Sequence, residues 1–194
     1  MEGTTYLEAL VDILKQTSIS LAMDISLNYD QGLAQIIDLL GNLPASGKKA
    51  MFIGNGGSAG IASHMALDFW KNGGIKALCF NDGTLLTCIG NDFGYEQVFA
   101  KPVEMFAEPD DVLVAVSSSG QSANIIEAVR AAQRRQCWVV TLSGFAADNP
   151  LRGTGDYNIY VPSREYGFVE VAHQMILHCI LDTICNKRKV GLAG

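Results

Sequence analysis

The run Asp111-Val112-Leu113-Val114-Ala115-Val116-Ser117-Ser118-Ser119-Gly120-Gln121-Ser122 decides the fold. Its first six residues read as a strand, apolar without a break from Val112, which suits a strand covered on both faces rather than one with a wet side. The next six are small and polar, and a helical pattern opens directly after them over residues 123–135. Four serine hydroxyls, backbone amides beside a glycine and the positive end of a helix converge on this turn. Such a set can hold a phosphate dianion without a lysine or an arginine. A serine that merely caps the helix is the simpler use of the residue type, but one cap accounts for one serine, and here Ser117, Ser118, Ser119 and Ser122 stand together.

The same strand, turn and helix sequence recurs toward the N-terminus. Residues 49–53 run into Gly54-Asn55-Gly56-Gly57-Ser58-Ala59-Gly60, followed by a helical pattern over 58–70. Glycines permit positive φ and let backbone amides approach a ligand, so Asn55, Gly56, Gly57 and Ser58 are candidates for contacting an anion or a sugar; a turn that only packs helix on strand is the alternative. The spacing also fits a loose G-x-G-x-x-A dinucleotide fingerprint. That motif wants an acidic residue at a strand end about 20 positions on, and Asp82 comes late for it, so no nucleotide cofactor is expected.

Further strands are expected at 76–80, 137–142 and 157–161, and a long helix at 169–187. Strands alternating with helices predict an α/β fold with a largely parallel sheet, and such sheets place ligands at the carboxyl ends of their strands. Thr87-Cys88-Ile89-Gly90-Asn91-Asp92-Phe93-Gly94 reads as a third strand-end turn, whose Asn91 and Asp92 either bind sugar hydroxyls or simply shape the turn. Residues 4–41 carry Leu, Ile, Ala and Met at helical spacing with a break near 16–20. They predict one or two amphipathic helices with apolar surface to spare for another subunit.

Of 194 residues, 48% are hydrophobic and 18% charged, enough apolar content for a substantial core. The length favours one domain over 1–194, with a helical segment at 1–45 and the α/β core at 48–187. Fourteen Lys and Arg against twenty Asp and Glu give a net charge of −6, which argues against a polyanion-binding surface, so nucleic acid is not an expected partner. No basic stretch leads an apolar run at the N-terminus, and no window approaches about 18 uninterrupted apolar residues, so neither a signal peptide nor a membrane span is expected and the cytoplasm is the expected location. Five cysteines form no C-x-x-C pair and read as buried free thiols.

The chain has three histidines. His64 and Asp68 stand four apart on the helix after the glycine loop and so share a face, where they suit one metal ion, an acid–base pair or an ordinary exposed pair. On the last helix Glu170 and His178 fall near one face, eight residues or about 12 Å of axial rise apart. For both to reach one ion, the side chains must extend, the helix must start late, or different chains must contribute. His173 is rotated away from His178 and reads as a structural histidine.

Taken together, G-N-G-G-S at the first loop, G-N-D-F-G in the middle, S-S-S-G-Q-S at the serine loop and E-x-x-H-x-x-x-x-H on the last helix resemble the sugar isomerase (SIS) domain family, and within it the phosphoheptose isomerases. The resemblance covers nearly the whole chain. It implies a three-layer α/β sandwich with a largely parallel, five-stranded, flavodoxin-like sheet, N-terminal helices used in oligomerisation, and a homotetramer with active sites at subunit interfaces. It implies substrate contacts from Asn55, Gly56, Gly57, Asn91 and Asp92, and phosphate held by Ser117, Ser118, Ser119 and Ser122. It also implies zinc at His64, Asp68, Glu170 and His178, as in some members.

The activity implied is isomerisation of sedoheptulose 7-phosphate to a glycero-manno-heptose 7-phosphate through an enediol, the first step toward nucleotide-activated heptose. Asp68 is the candidate base and His178 the candidate acid; the same side chains could instead serve as metal ligands. Three positions depart from the family pattern. Asp68 stands where glutamate is usual, Glu170 where an amide is usual, and Gly167 where many members carry aspartate. Two other readings stand beside this one: an isomerase of a different sugar phosphate, and a non-catalytic SIS module that binds a replication initiator or other protein, whose relatives lack the pair at the positions of Asp68 and His178.

Overall fold

Strands β3 (Ala50–Gly54) and β5 (Val112–Ser117) are buried at every residue, as their unbroken apolar runs require. They are neighbouring interior strands of the sheet seen in the computed structural model, which describes residues 2–22 and 25–192. Around them the chain forms α1 (Gly3–Gln16), β1 (Ser18–Leu21), β2 (Ser26–Leu27), α2 (Tyr29–Gly41), α3 (Leu43–Ser46), α4 (Gly57–Lys71) and β4 (Ala77–Cys79). Next come α5 (Gly83–Phe93), a 3-10 turn (Tyr95–Gln97), α6 (Ala100–Phe106), α7 (Ala123–Arg134), β6 (Trp138–Ser143), β7 (Tyr157–Tyr160) and α8 (Tyr166–Leu192).

The sheet has seven strands in the order β2-β1-β7-β6-β5-β3-β4. Strands β3 to β7 are mutually parallel and follow the expected flavodoxin-like order. The expectation of five strands is corrected at one edge, where β1 pairs antiparallel with β7 (Ile19 opposite Ile159) and β2 pairs antiparallel with β1. The helical break near 16–20 is therefore a strand. Its short Ser-Ile-Ser-Leu alternation puts Ile19 fully inside the core, against Gly32 of α2, where even a Cβ would be 2.8 Å from the isoleucine side chain.

Strand alternation divides the core in two. Phe52, Val112, Val114 and Val116 face α2, α4 and α8, whereas Met51, Ile53, Leu113 and Ala115 face α6 and α7. The three layers follow from this division. The order of parallel strands reverses between β3 and β5, so the loops after these two strands diverge around a crevice. Helix α8 has the length and hydropathy of a membrane span, but half of that stretch is buried inside the fold. Near its end Arg188 donates to the carbonyls of Gly41 and Gly73, tying the C-terminal ends of α2 and α4 to α8.

Two expectations change here. Residues 87–94 are not a strand-end turn: Asp82 caps α5 by accepting from the Leu85 amide at 3.0 Å, and Thr87 bonds back to Gly83 and Thr84, so Asn91 and Asp92 ride the last helical turn before Gly94. The cysteines are free, but only Cys137 is buried; Cys88 and Cys179 are exposed on the outer faces of α5 and α8.

Candidate active site

The crevice predicted by the strand order holds a cavity of about 240 Å³ lined by the two sequence-predicted loops. From the first come Asn55, Gly56, Gly57 and Ser58; from the second Ser117, Ser118, Ser119 and Ser122; α8 adds Tyr166 and Glu170. Gly56 takes φ +53° at the start of α4, a conformation that glycine reaches without a Cβ penalty. Neither α4 nor α7 has a side-chain cap at its N-terminus. Ser122 sits at the cap position of α7 but accepts from the Ser117 hydroxyl at 3.4 Å and caps no amide, so the simple capping use of the serine fails. Two uncapped helix starts therefore present their partial positive charge to one cavity.

The Ser118 hydroxyl is buried and has no hydrogen-bond partner, a costly arrangement that a ligand oxygen would satisfy. Among the described residues no lysine or arginine lines the cavity. The loop is held from behind by the segment after β6: Gly144 donates to the Ser118 carbonyl at 3.0 Å and Leu151 to that of Gly120 at 3.0 Å. Asn149, nearly fully buried, donates to Ser143 Oγ, Gly144 O and Ala146 O and accepts from the Arg152 amide. Gly120 has φ +63° and lies so close to Asn149 Oδ1 that no Cβ fits.

The Asn55 carboxamide exchanges two hydrogen bonds of 2.9 Å with Asn124 on the first turn of α7, and Tyr95 adds a third from its hydroxyl at 3.2 Å. These bonds clamp the two loops together and occupy the Asn55 side chain. Asn91 and Asp92 do not line the cavity; they hydrogen-bond each other at 2.8 Å on exposed surface. Asn124, Tyr95 and Tyr166 are absent from the sequence-predicted set. An amide directly after the serine loop is the signal that marks Asn124, whereas nothing local marks the two tyrosines.

His64 and Asp68 come together as their spacing on one helix predicts, and His178 joins them, as the resemblance implies. Ligand-capable atoms of all three lie within 4.8 Å of one another. His64 Nε2 is 3.2 Å from Asp68 Oδ2, and the His64 and His178 rings meet edge to face at 5.3 Å. Glu170 is not part of this group. Its carboxylate rests over Gly57 at the start of α4, where a negative charge is favoured, and the eight-residue spacing along α8 keeps it from His178. A neighbouring cavity of about 460 Å³ is lined by Gly57, Glu170 and His178, so a groove continues from the serine cavity to the histidines. His173 is fully buried, with Nε2 at 3.2 Å from the Ser143 carbonyl, and burial pushes its pKa down to about 4. It is neutral and structural, as its rotation along the helix predicts.

A parallel sheet with a serine-lined cavity at its switch point and a histidine–carboxylate group nearby is the arrangement the resemblance to the SIS domain implies. The sequence model of the SIS domain matches residues 6–144, and the chain belongs to this family. Within it the chain belongs with the phosphoheptose isomerases. It is 34% identical to the phosphoheptose isomerase of Thiobacillus denitrificans over 177 residues, 87% of this chain and 88% of that one. It is 31% identical to that of Shewanella loihica over 175 residues, 86% of this chain and 89% of that one. The structure of a phosphoheptose isomerase from Francisella tularensis superposes with a TM-score of 0.79 at 26% identity, covering 94% of this chain and 96% of the other.

Proposed function

We propose that this protein is an aldose–ketose isomerase that converts sedoheptulose 7-phosphate to D-glycero-D-manno-heptose 7-phosphate, the first step toward nucleotide-activated heptose. The observation that carries the reading is the continuity of the site. A serine-lined cavity suited to phosphate shares Gly57 and Glu170 with a second cavity that reaches His178, and His178 stands beside His64 and Asp68.

In this reading Ser117, Ser118, Ser119 and Ser122 and the starts of α4 and α7 hold the phosphate. Gly56, Gly57, Ser58 and Glu170 meet the polyol, and Asn55 fixes the geometry of its loop. Asn91 and Asp92, which lie outside the cavity, have no assigned contact with the sugar in this arrangement. Isomerisation moves a proton between adjacent carbons and serves the two oxygens in turn. Asp68 Oδ2 is engaged by His64, which leaves Oδ1 to take and return the carbon-bound proton; His178 donates to the carbonyl oxygen and recovers a proton from the hydroxyl.

The donor set of His64, Asp68 and His178 fits zinc. Two nitrogens and a carboxylate are a familiar catalytic ligand set, and a spread below 4.8 Å closes with small rotamer changes to the roughly 3.3 Å between ligands that bond lengths of about 2.0–2.2 Å imply. When bound there, zinc would polarise the sugar oxygens in place of the proton transfers given to Asp68 and His178, because a ligating carboxylate or imidazole is not free to carry the proton. Glu170 would join only through a change at its helix or from another subunit. The exposed apolar side chains of α1, Leu7 and Val11, together with Val171 and Met175 on α8, support assembly into a homotetramer with sites near subunit interfaces. A phosphorylated sugar substrate suits the cytoplasm, and one continuous sheet suits a single catalytic unit over 1–194.

The test is to incubate the protein with sedoheptulose 7-phosphate in D₂O, with and without zinc, and to follow the sugar by NMR. Aldoheptose phosphate carrying deuterium beside the carbonyl is the expected product. No turnover under either condition would refute the assignment.

A further inference from the structure

Tyr166 is the only aromatic group among the ten residues that line the serine cavity, and it opens α8. The residue is 61% exposed, yet its ring is braced: Phe145 packs against it edge to face, with centroids 4.8 Å apart. Phe145 itself is held in the left-handed region at φ +59°, a conformation that is costly for a residue with a Cβ. Its amide donates to the Ser163 carbonyl at 2.8 Å, and its carbonyl accepts from the Tyr160 hydroxyl at 3.0 Å. The Arg152 guanidinium in turn covers the Tyr160 ring at 4.3 Å. Strained backbone that both its polar groups hold in place, and that ends by presenting one aromatic ring to a polar cavity, points to a task for that ring.

The remaining lining groups already supply what a phosphate needs, in hydroxyls and helix starts. What they do not supply is an apolar surface for the C–H faces of a sugar chain. Aromatic rings give a large, rigid contact of that kind at small entropic cost.

We propose that Tyr166 is a specificity-determining residue whose ring packs against the sugar carbons next to the phosphate ester, so that the site distinguishes a sugar phosphate from bare phosphate. The proposal rests on the isomerase reading for the identity of the sugar, but not for the contact itself, which binding measures without turnover.

The experiment compares calorimetric affinities of the full-length protein for sedoheptulose 7-phosphate and inorganic phosphate. Wild type is expected to prefer the sugar phosphate. Tyr166→Ala should weaken sugar phosphate about five- to tenfold and leave inorganic phosphate within about twofold; Tyr166→Phe, which keeps the ring, should retain the preference. Ser118→Ala is the contrast and should weaken both ligands in parallel. Equal losses for both ligands in Tyr166→Ala would mean that the ring acts through the serine loop, and would overturn the proposal. So would unchanged affinities, or a wild type with no preference. A wild type that prefers the sugar phosphate but never isomerises it would refute the proposed function while leaving Tyr166 to be judged on the variants.

Discussion

Placing a methyl group at Gly120 tests whether the segment after β6 truly braces the serine loop. Gly120→Ala imposes two separable costs. Holding an alanine at φ +63° costs about 1–2 kcal/mol. The new Cβ also collides with the Asn149 carboxamide, which makes three donated bonds and one accepted bond in a nearly sealed setting. At about 0.5–1.5 kcal/mol for each bond, displacing that amide costs a further ~2–4 kcal/mol even if part of it re-forms. The single variant should therefore lose about 3–6 kcal/mol. Asn149→Ala alone removes the amide and should lose about 2–4 kcal/mol. In the double variant the collision with the amide is gone and only the 2.9 Å approach to the Cβ of residue 149 is left, so adding Gly120→Ala to Asn149→Ala should cost little more than the backbone term of about 1–2 kcal/mol. Urea unfolding of the four proteins gives the coupling directly. If Gly120→Ala costs the same with and without Asn149, the brace is not what fixes this loop, and the argument from the close approach is wrong.

Asp68→Asn keeps the shape of the side chain but removes the base, and should lower kcat by at least about a hundredfold with little change in thermal stability; His178→Ala should do the same. Turnover within a few-fold of wild type in both would dismiss the assigned proton transfers. Purification without chelator followed by metal analysis should find zinc, and His64→Ala should lose it; no bound zinc and no activation by added zinc would remove the metal from the site. His173 makes the fold acid-sensitive. Its pKa falls from 6.5 to about 4 in the folded protein, so below pH 6.5 the unfolded chain binds a proton that the folded chain refuses. Stability is therefore lost as pH drops from 6.5 toward 4, by about 3 kcal/mol in all. Unfolding curves of wild type and His173→Gln should converge by roughly that amount across this window, and a constant gap would show that His173 does not titrate this way.

The parallel core was legible because its strands announce themselves: residues 112–116 are apolar on both faces and end in small residues. The serine loop was legible for the same reason, since a run of small polar residues between a strand and a helix start is local in sequence. So was the pairing of His64 with Asp68, four apart on one helix, and the structural reading of His173. The edge strands were not, because β2 is two residues long and β1 gains its meaning only from pairing with β7 far along the chain. Residues 87–94 misled because Asn-Asp-x-Gly is common turn chemistry, whereas the helix that carries it is set by Asp82 and ended by Gly94. Glu170 was placed on the correct face, but only packing decides that its carboxylate turns to Gly57 rather than toward His178. Tyr166 belongs to the cavity because α8 begins three residues earlier than its apolar pattern suggests.

Helix α8 is also a ruler. Glu170 stands at the serine cavity and His178 at the reactive cluster, with about 12 Å of rigid helix between them. On the proposed function, a ligand anchored by its phosphate in the serine cavity would present its carbonyl to His178 only if enough carbons lie between. On that reading the helix would set the chain length the site accepts, and inserting one residue between Glu170 and His178 would turn the far mark by about 100°, away from His64 and Asp68.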